Sequence, residues 1–283
     1  MFSRRRAATI AGLAMGLAAA TIPAAAAPQH GAARGHDISS RAGQDVSAVV
    51  VVRSGVHLPL SVPGGHVVDV FPHVGSELVR APLAALAALA GDSRVAGVTP
   101  DRSGRVAGLK GKDDAGPHVK SVFASEHLVG GAGDGKTGQG VNVAMLDTGL
   151  SDTPALNRAS GRVTDGVDVS QIASGGHANT SGAFIDGFGH GTFLASLIAG
   201  GKVSGSGGHA LGVAPAARIV VVKVANNQGE TTLSEVLAGM DWVASHAQAP
   251  NGQQMIQVLN VALAVDRPTA PAYGADPLTA AVE

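Results

Sequence analysis

The chain contains no cysteine, which excludes disulfide cross-links and leaves a packed core or bound metal as sources of stability. Aromatic residues make up only 3% of it, so core volume must come from Val, Leu, Ile and Ala, side chains suited to tightly layered α/β packing. Charge is sparse and the net balance is -1, so there is no basic footprint for nucleic acid. No apolar run reaches the ~20 residues that a stable membrane-spanning helix needs. There is no H-E-x-x-H, and His177, His190 and His209 do not stand at ligand spacing, which argues against zinc.

What is present is strongly segmented. Residues 1–27 read as an export leader: Arg4, Arg5 and Arg6 form a basic start, Ala7 to Ala20 an apolar stretch, and Ala24 to Ala27 a small-residue cleavage site. The twin arginines also permit the twin-arginine route. Either way, a secreted protein is expected. Residues 28–45 are polar and Gly-rich and read as a linker. From Val46 the pattern is strand (46–52), strand (66–71), strand (77–81), helix (82–89) and strand (94–98), a small α+β unit expected over 46–103. A second Gly-rich polar segment, 104–124, reads as a linker and a processing region.

From about residue 125 strands and helices alternate. Val141 to Leu146 and Arg218 to Val224 are buried apolar strands, Thr192 to Ala199 a short helix with Leu194, Leu197 and Ile198 on its apolar face, and Met255 to Val265 a third strand. Between the last two strands Thr232 and Glu235 form a capping box ahead of the stripe Leu233, Val236, Leu237, Met240 and Val243. This order predicts an α/β fold with a doubly wound parallel sheet, whose site lies at the carboxyl ends of the strands. Asp276 and Pro277 should open another helix, which reaches under two turns before Glu283. The expectation is that the chain breaks off inside a domain.

Two residues carry the chemistry. Asp147 closes the first apolar strand just before Thr148-Gly149, where a carboxylate can fix one tautomer of an imidazole, although an Asx turn alone would also use it. His190 stands in the Gly-rich run Asp186-Gly187-Phe188-Gly189-His190-Gly191-Thr192, where backbone and substrate can approach closely and an imidazole can take a proton near neutrality. Two other motifs fail on context. Gly130 to Thr137 satisfies G-x-x-x-x-G-K-[ST] but opens into glycines and a strand rather than a helix, so no nucleotide is expected. Asp147-Thr148-Gly149 matches the aspartic-protease tripeptide, but no second copy supplies the partner carboxylate.

The blocks VNVAMLDTGL (141–150), GHGTFLASLIAG (189–200), GVAPAARIVVVKV (212–224) and VLNVALA (258–264) resemble, in order, the signature blocks of the subtilases, the subtilisin-like serine proteases. The unit at 46–103 resembles, by position and element order, their inhibitory propeptide. The resemblance implies a secreted endopeptidase precursor with Asp147 as orienter and His190 as general base, in the chain order Asp, His, Ser. It implies a protein or peptide substrate paired in extended form with Asn227, Gln228 and Gly229 on one side and Ala262, Leu263 and Ala264 on the other. It further implies a propeptide docked on a catalytic domain at 125–283, no cofactor for catalysis, and structural calcium as a possibility through Asp152, Asp165 or Asp168. The chain departs from the pattern at Ala262 and Ala264, where the family shows Ser and Gly. It also departs at the nucleophile: Ser196, Ser204, Ser206, Ser234 and Ser245 follow His190, none in the context G-T-S-x-A. The family's serine lies roughly 150 residues beyond its histidine, so this chain is expected to be inactive. The rival expectation is a secreted non-catalytic binding protein or protease inhibitor derived from a subtilase.

Overall fold

The computed structural model describes residues 44–106, 135–204, 206, 209–249, 251–252, 255–266, 273–274 and 276–282. The expected leader (1–27), most of the first linker and most of the second lie outside the described residues. In chain order the elements are β1 (Asp45–Val52), β2 (His66–Phe71), β3 (Ser76–Pro82), α1 (Leu83–Ala90), β4 (Val95–Pro100), β5 (Ser103–Val106), β6 (Asn142–Asp147) and β7 (Val163–Asp168). There follow α2 (His190–Ala199), β8 (Arg218–Lys223), β9 (Glu230–Thr232), α3 (Leu233–His246), β10 (Val258–Val261), β11 (Leu263–Val265), β12 (Tyr273–Gly274) and α4 (Pro277–Val282).

The first sheet has the order β12-β4-β1-β3-β2, with antiparallel neighbours. The valine-rich run of β1 is buried on both faces, and its alternation splits it between two cores. Ala48, Val50 and Val52 face Leu86 and Leu89 of α1, while Val49, with Phe71 and Leu78, joins the apolar stripe of α3.

The second sheet is parallel, in the order β10-β6-β8-β7. Alternate residues again divide the work. Ala144, Leu146, Val220 and Val222 pack beneath Leu233, Val236, Leu237 and Met240 of α3, while Val143, Met145, Ile219 and Val221 pack against Ala195 and Ala199 of α2. Helices therefore cover both faces, as a doubly wound sheet requires. On α2 the fully buried side chains are these alanines, with Leu194 and Ile198 only partly buried. The helix lies too close to the sheet for larger residues on that line.

Helix α3 opens as expected. Thr232 Oγ1 accepts from the Glu235 amide and Glu235 Oε2 from the Thr232 amide. Asp276 opens α4 by accepting from the Leu278 and Thr279 amides at 3.0 and 3.2 Å. Two expectations need correction. Met255 to Val265 is not one strand: residues 258–261 pair parallel with β6, then the chain leaves Ala262 out of either ladder and residues 263–265 pair antiparallel with β5. Residues 104–106, expected as linker, are the body of β5, the central strand of a third sheet ordered β11-β5-β9.

Candidate active site

Asp147 ends β6 with its backbone carbonyl accepting from the Val224 and Ala225 amides, which fixes the strand terminus beside β8. The next residues turn sharply at Gly149, where φ is +105° and an added Cβ would lie 2.7 Å from the Ile185 carbonyl oxygen. Only glycine fits that conformation and that space. His190 is the first residue of α2, after Gly189 in the left-handed region. The two elements meet through a second glycine: a Cβ on Gly191 would stand 2.1 Å from the Gly149 carbonyl oxygen.

This contact brings His190 Nδ1 to 2.7 and 2.9 Å from the two carboxylate oxygens of Asp147. Both side chains are buried, at 7% and 2% exposure. The carboxylate accepts, so Nδ1 donates and Nε2 keeps its lone pair. Among the described residues Nε2 has no hydrogen-bond partner. Burial pushes the Asp147 carboxyl up, and the hydrogen bonds from His190 and the Thr148 amide hold it back. The arrangement can accept a proton at Nε2 and stabilise the resulting imidazolium from behind.

Sequence reasoning missed the carboxylate of Asp186. Its Oδ1 accepts from Thr148 Oγ1 (2.8 Å), the Gly189 amide (2.7 Å) and the Phe188 amide (3.2 Å), and its Oδ2 from the Thr192 amide (2.8 Å) and Thr192 Oγ1 (2.6 Å). The available signal was an acidic residue just ahead of a helix start, where free amides attract a carboxylate.

Of the six residues expected at the strand-accepting edges, three lie against β5. Gly229 accepts from the Val106 amide (3.0 Å), and Leu263 and Ala264 pair with Val106 and Arg105. On the other side the ladder runs through Glu230, Thr231 and Thr232 against Arg105, Gly104 and Ser103. Asn227, Gln228 and Ala262 are not in the ladder. For Asn227 and Gln228 the reason is a tight turn: the Gly229 amide donates to the Asn226 carbonyl, the Asn226 amide to the Glu230 carbonyl, and the Gln228 amide to Asn226 Oδ1. Asn227 instead accepts from Lys223 Nζ (3.0 Å), which also donates to the Ile185 carbonyl (2.6 Å). With the Phe188 ring lying over Gly229, these bonds tie the histidine loop to the edge that grips β5.

Asp152, Asp165 and Asp168 do not converge. Asp152 accepts from the Arg158 amide, Asp165 from the Gly166 amide and Asp168 from Ser170. Among the described residues no three His, Asp or Glu side chains are grouped for a metal. Three of the five serines after His190 are engaged elsewhere: Ser196 Oγ donates to the Thr192 carbonyl, Ser234 Oγ to Asp101 and Ser245 Oγ to the Trp242 carbonyl.

The Subtilase family model matches residues 138–280, which contain the whole Asp147–His190 arrangement. The chain belongs to the subtilase family. It is 34% identical to a subtilisin-like protease of Coccidioides posadasii over 62% of its own length and 39% of that protein's. With serine protease AprX of Bacillus subtilis the identity is 33%, over 59% of this chain and 33% of the relative. With subtilisin Savinase of Lederbergia lenta it is 35%, over 48% and 42%. This subtilase chain thus spans about two fifths or less of each of these relatives. Among its described residues no helix is long and apolar enough to cross a membrane.

Proposed function

We propose that this subtilase carries the acid–base half of a serine endopeptidase, in precursor form, exported through the leader at residues 1–27. His190 Nε2 takes the proton from a serine nucleophile contributed from outside the described residues and later returns it to the leaving amine, while Asp147 holds the imidazole in place. A protein or peptide substrate lies extended between the β9 and β11 edges, gripped mainly by backbone hydrogen bonds.

The observation that carries this reading is that a buried histidine, bonded to Asp147 through Nδ1 and with no Nε2 partner among the described residues, has its loop bonded to an edge holding an extended strand. In the precursor that strand is β5. It takes the substrate's place, and the sheet preceding it shares a core with α3, so residues 46–106 act as an inhibitory segment. The test is to join the chain to a subtilase serine block and measure hydrolysis of a protein substrate. Changing Asp147 or His190 to Ala should abolish it, and an undiminished rate in either variant would overturn the assignment.

A further inference from the structure

We propose that Asp186, acting through the Thr148 hydroxyl, is the positioning residue for the Asp147–His190 pair. The inference rests on the acid–base reading above and concerns how that pair is kept in register.

Asp186 has a hydrogen bond to each side of the pair. On the strand side it accepts from Thr148 Oγ1 at 2.8 Å, and its own amide donates to Ser151 Oγ at 3.1 Å. On the helix side it accepts from the Gly189 amide, the Thr192 amide and Thr192 Oγ1 at 2.6 to 2.8 Å. Thr148 Oγ1 completes the bridge by accepting from the Gly191 amide at 3.0 Å. The residues flanking Asp147 and His190 are thus fastened to one carboxylate.

The consequence for the chemistry lies in a single proton. Thr148 has one hydroxyl hydrogen and two carboxylates in reach: Asp186 Oδ1 at 2.8 Å and Asp147 Oδ1 at 3.3 Å. The shorter bond is the stronger, so the hydroxyl donates to Asp186. Asp147 Oδ1, which already receives the Thr148 amide at 2.8 Å and His190 Nδ1 at 2.7 Å, is spared a third donor. Without Asp186 the hydroxyl turns to Asp147 and competes with the imidazole for that oxygen.

Proton NMR of the full chain tests this through the low-field resonance of the His190 Nδ1 proton, which reports the strength of its bond to Asp147. Asp186→Ala should shift it upfield. Asp186→Ala with Thr148→Val, which has no hydroxyl to turn, should return it toward the wild-type position, and Thr148→Ser should leave it unmoved. Should Asp186→Ala not fold, Asp186→Leu, which fills a similar space and offers no acceptor, takes its place in both arms. An unmoved resonance in the Asp186 variant, or a double variant displaced as far as the single one, would overturn the proposal. Absence of the low-field resonance in the wild-type chain would instead sink the Asp147–His190 reading itself.

Discussion

Glu235 offers the sharpest test of how the electrostatics of this fold are arranged. Its carboxyl closes the capping box of α3 at 5% exposure, close to the Asp101 carboxyl, which accepts from the Ser234 amide and hydroxyl. Burial, reinforced by the nearby Asp101 charge, pushes Glu235 up to about 8 from an ordinary value of 4.5, although the hydrogen bond from the Thr232 amide opposes the shift. In the folded chain Glu235 is therefore protonated across a pH range in which the unfolded chain has it ionised. The folded state binds the extra proton, so stability is full below pH 4.5, falls as pH rises toward 8 and is level beyond.

At 1.36 kcal/mol per pKa unit the loss amounts to roughly 3–5 kcal/mol. Glu235→Gln keeps the shape and the oxygen that accepts from Thr232 but cannot ionise. Urea denaturation followed by far-UV circular dichroism should find the two proteins alike at pH 4.5, with the Gln variant ahead by about 3 kcal/mol or more at pH 9. If the two stabilities run parallel from pH 4.5 to 9, or the variant is the weaker at pH 9, the buried neutral carboxyl is wrong. Asp101, also raised by burial, tilts wild type and variant in the same direction and cannot produce their divergence.

Gly191→Ala places a Cβ 2.1 Å from the Gly149 carbonyl oxygen and should cost about 1–3 kcal/mol, seen as a lowered thermal midpoint together with loss of the His190 Nδ1 resonance; an unchanged midpoint would refute the close approach of α2 to β6. Val106→Pro removes the amide that donates to Gly229 and puts proline in the central strand of the β11-β5-β9 sheet, so hydrogen exchange should accelerate in β9 and β11 while the parallel sheet stays protected. Asp241→Ala removes the acceptor of the His73 and Val74 amides at 2.6 and 3.2 Å and should lower stability by about 1 kcal/mol, measured by urea denaturation; a loss indistinguishable from zero would make that contact ornamental.

How far the fold could be read in advance follows from where each element finds its partners. The strand at β1 and the start of α3 carry their own evidence, one in a valine run, the other in Thr232 and Glu235 three residues apart. Asp147 and His190 were legible from local sequence too: Asp147 closes an apolar strand just before Thr148-Gly149, and His190 stands between two glycines ahead of an apolar helix. By contrast β5 reads Ser-Gly-Arg-Val, with alternate residues buried but only one of them apolar. It is a strand because Glu230–Thr232 and Leu263–Val265 pair with it from far along the chain. The break at Ala262 has the same origin, since the chain there passes from the ladder of β6 to that of β5.

The missed functional residue follows this rule too. Asp186 is visible in the sequence only as the first letter of a Gly-rich block, because its partners are Thr148, on the strand side, and the amides of a helix whose start the apolar pattern puts at Thr192. Moving that start to His190 changes the chemistry. The imidazole now leaves the first turn of a helix, whose free amides Asp186 binds, and the residue after Asp147 shares that same carboxylate. A dyad held this way owes its geometry to a bond that neither of its members makes. Removing the Asp186 carboxylate should accordingly disturb His190 although it does not touch the ring, whereas Thr148→Ser, which keeps the hydroxyl, and changes at exposed positions such as Gln228, outside both ladders, should leave it unaffected.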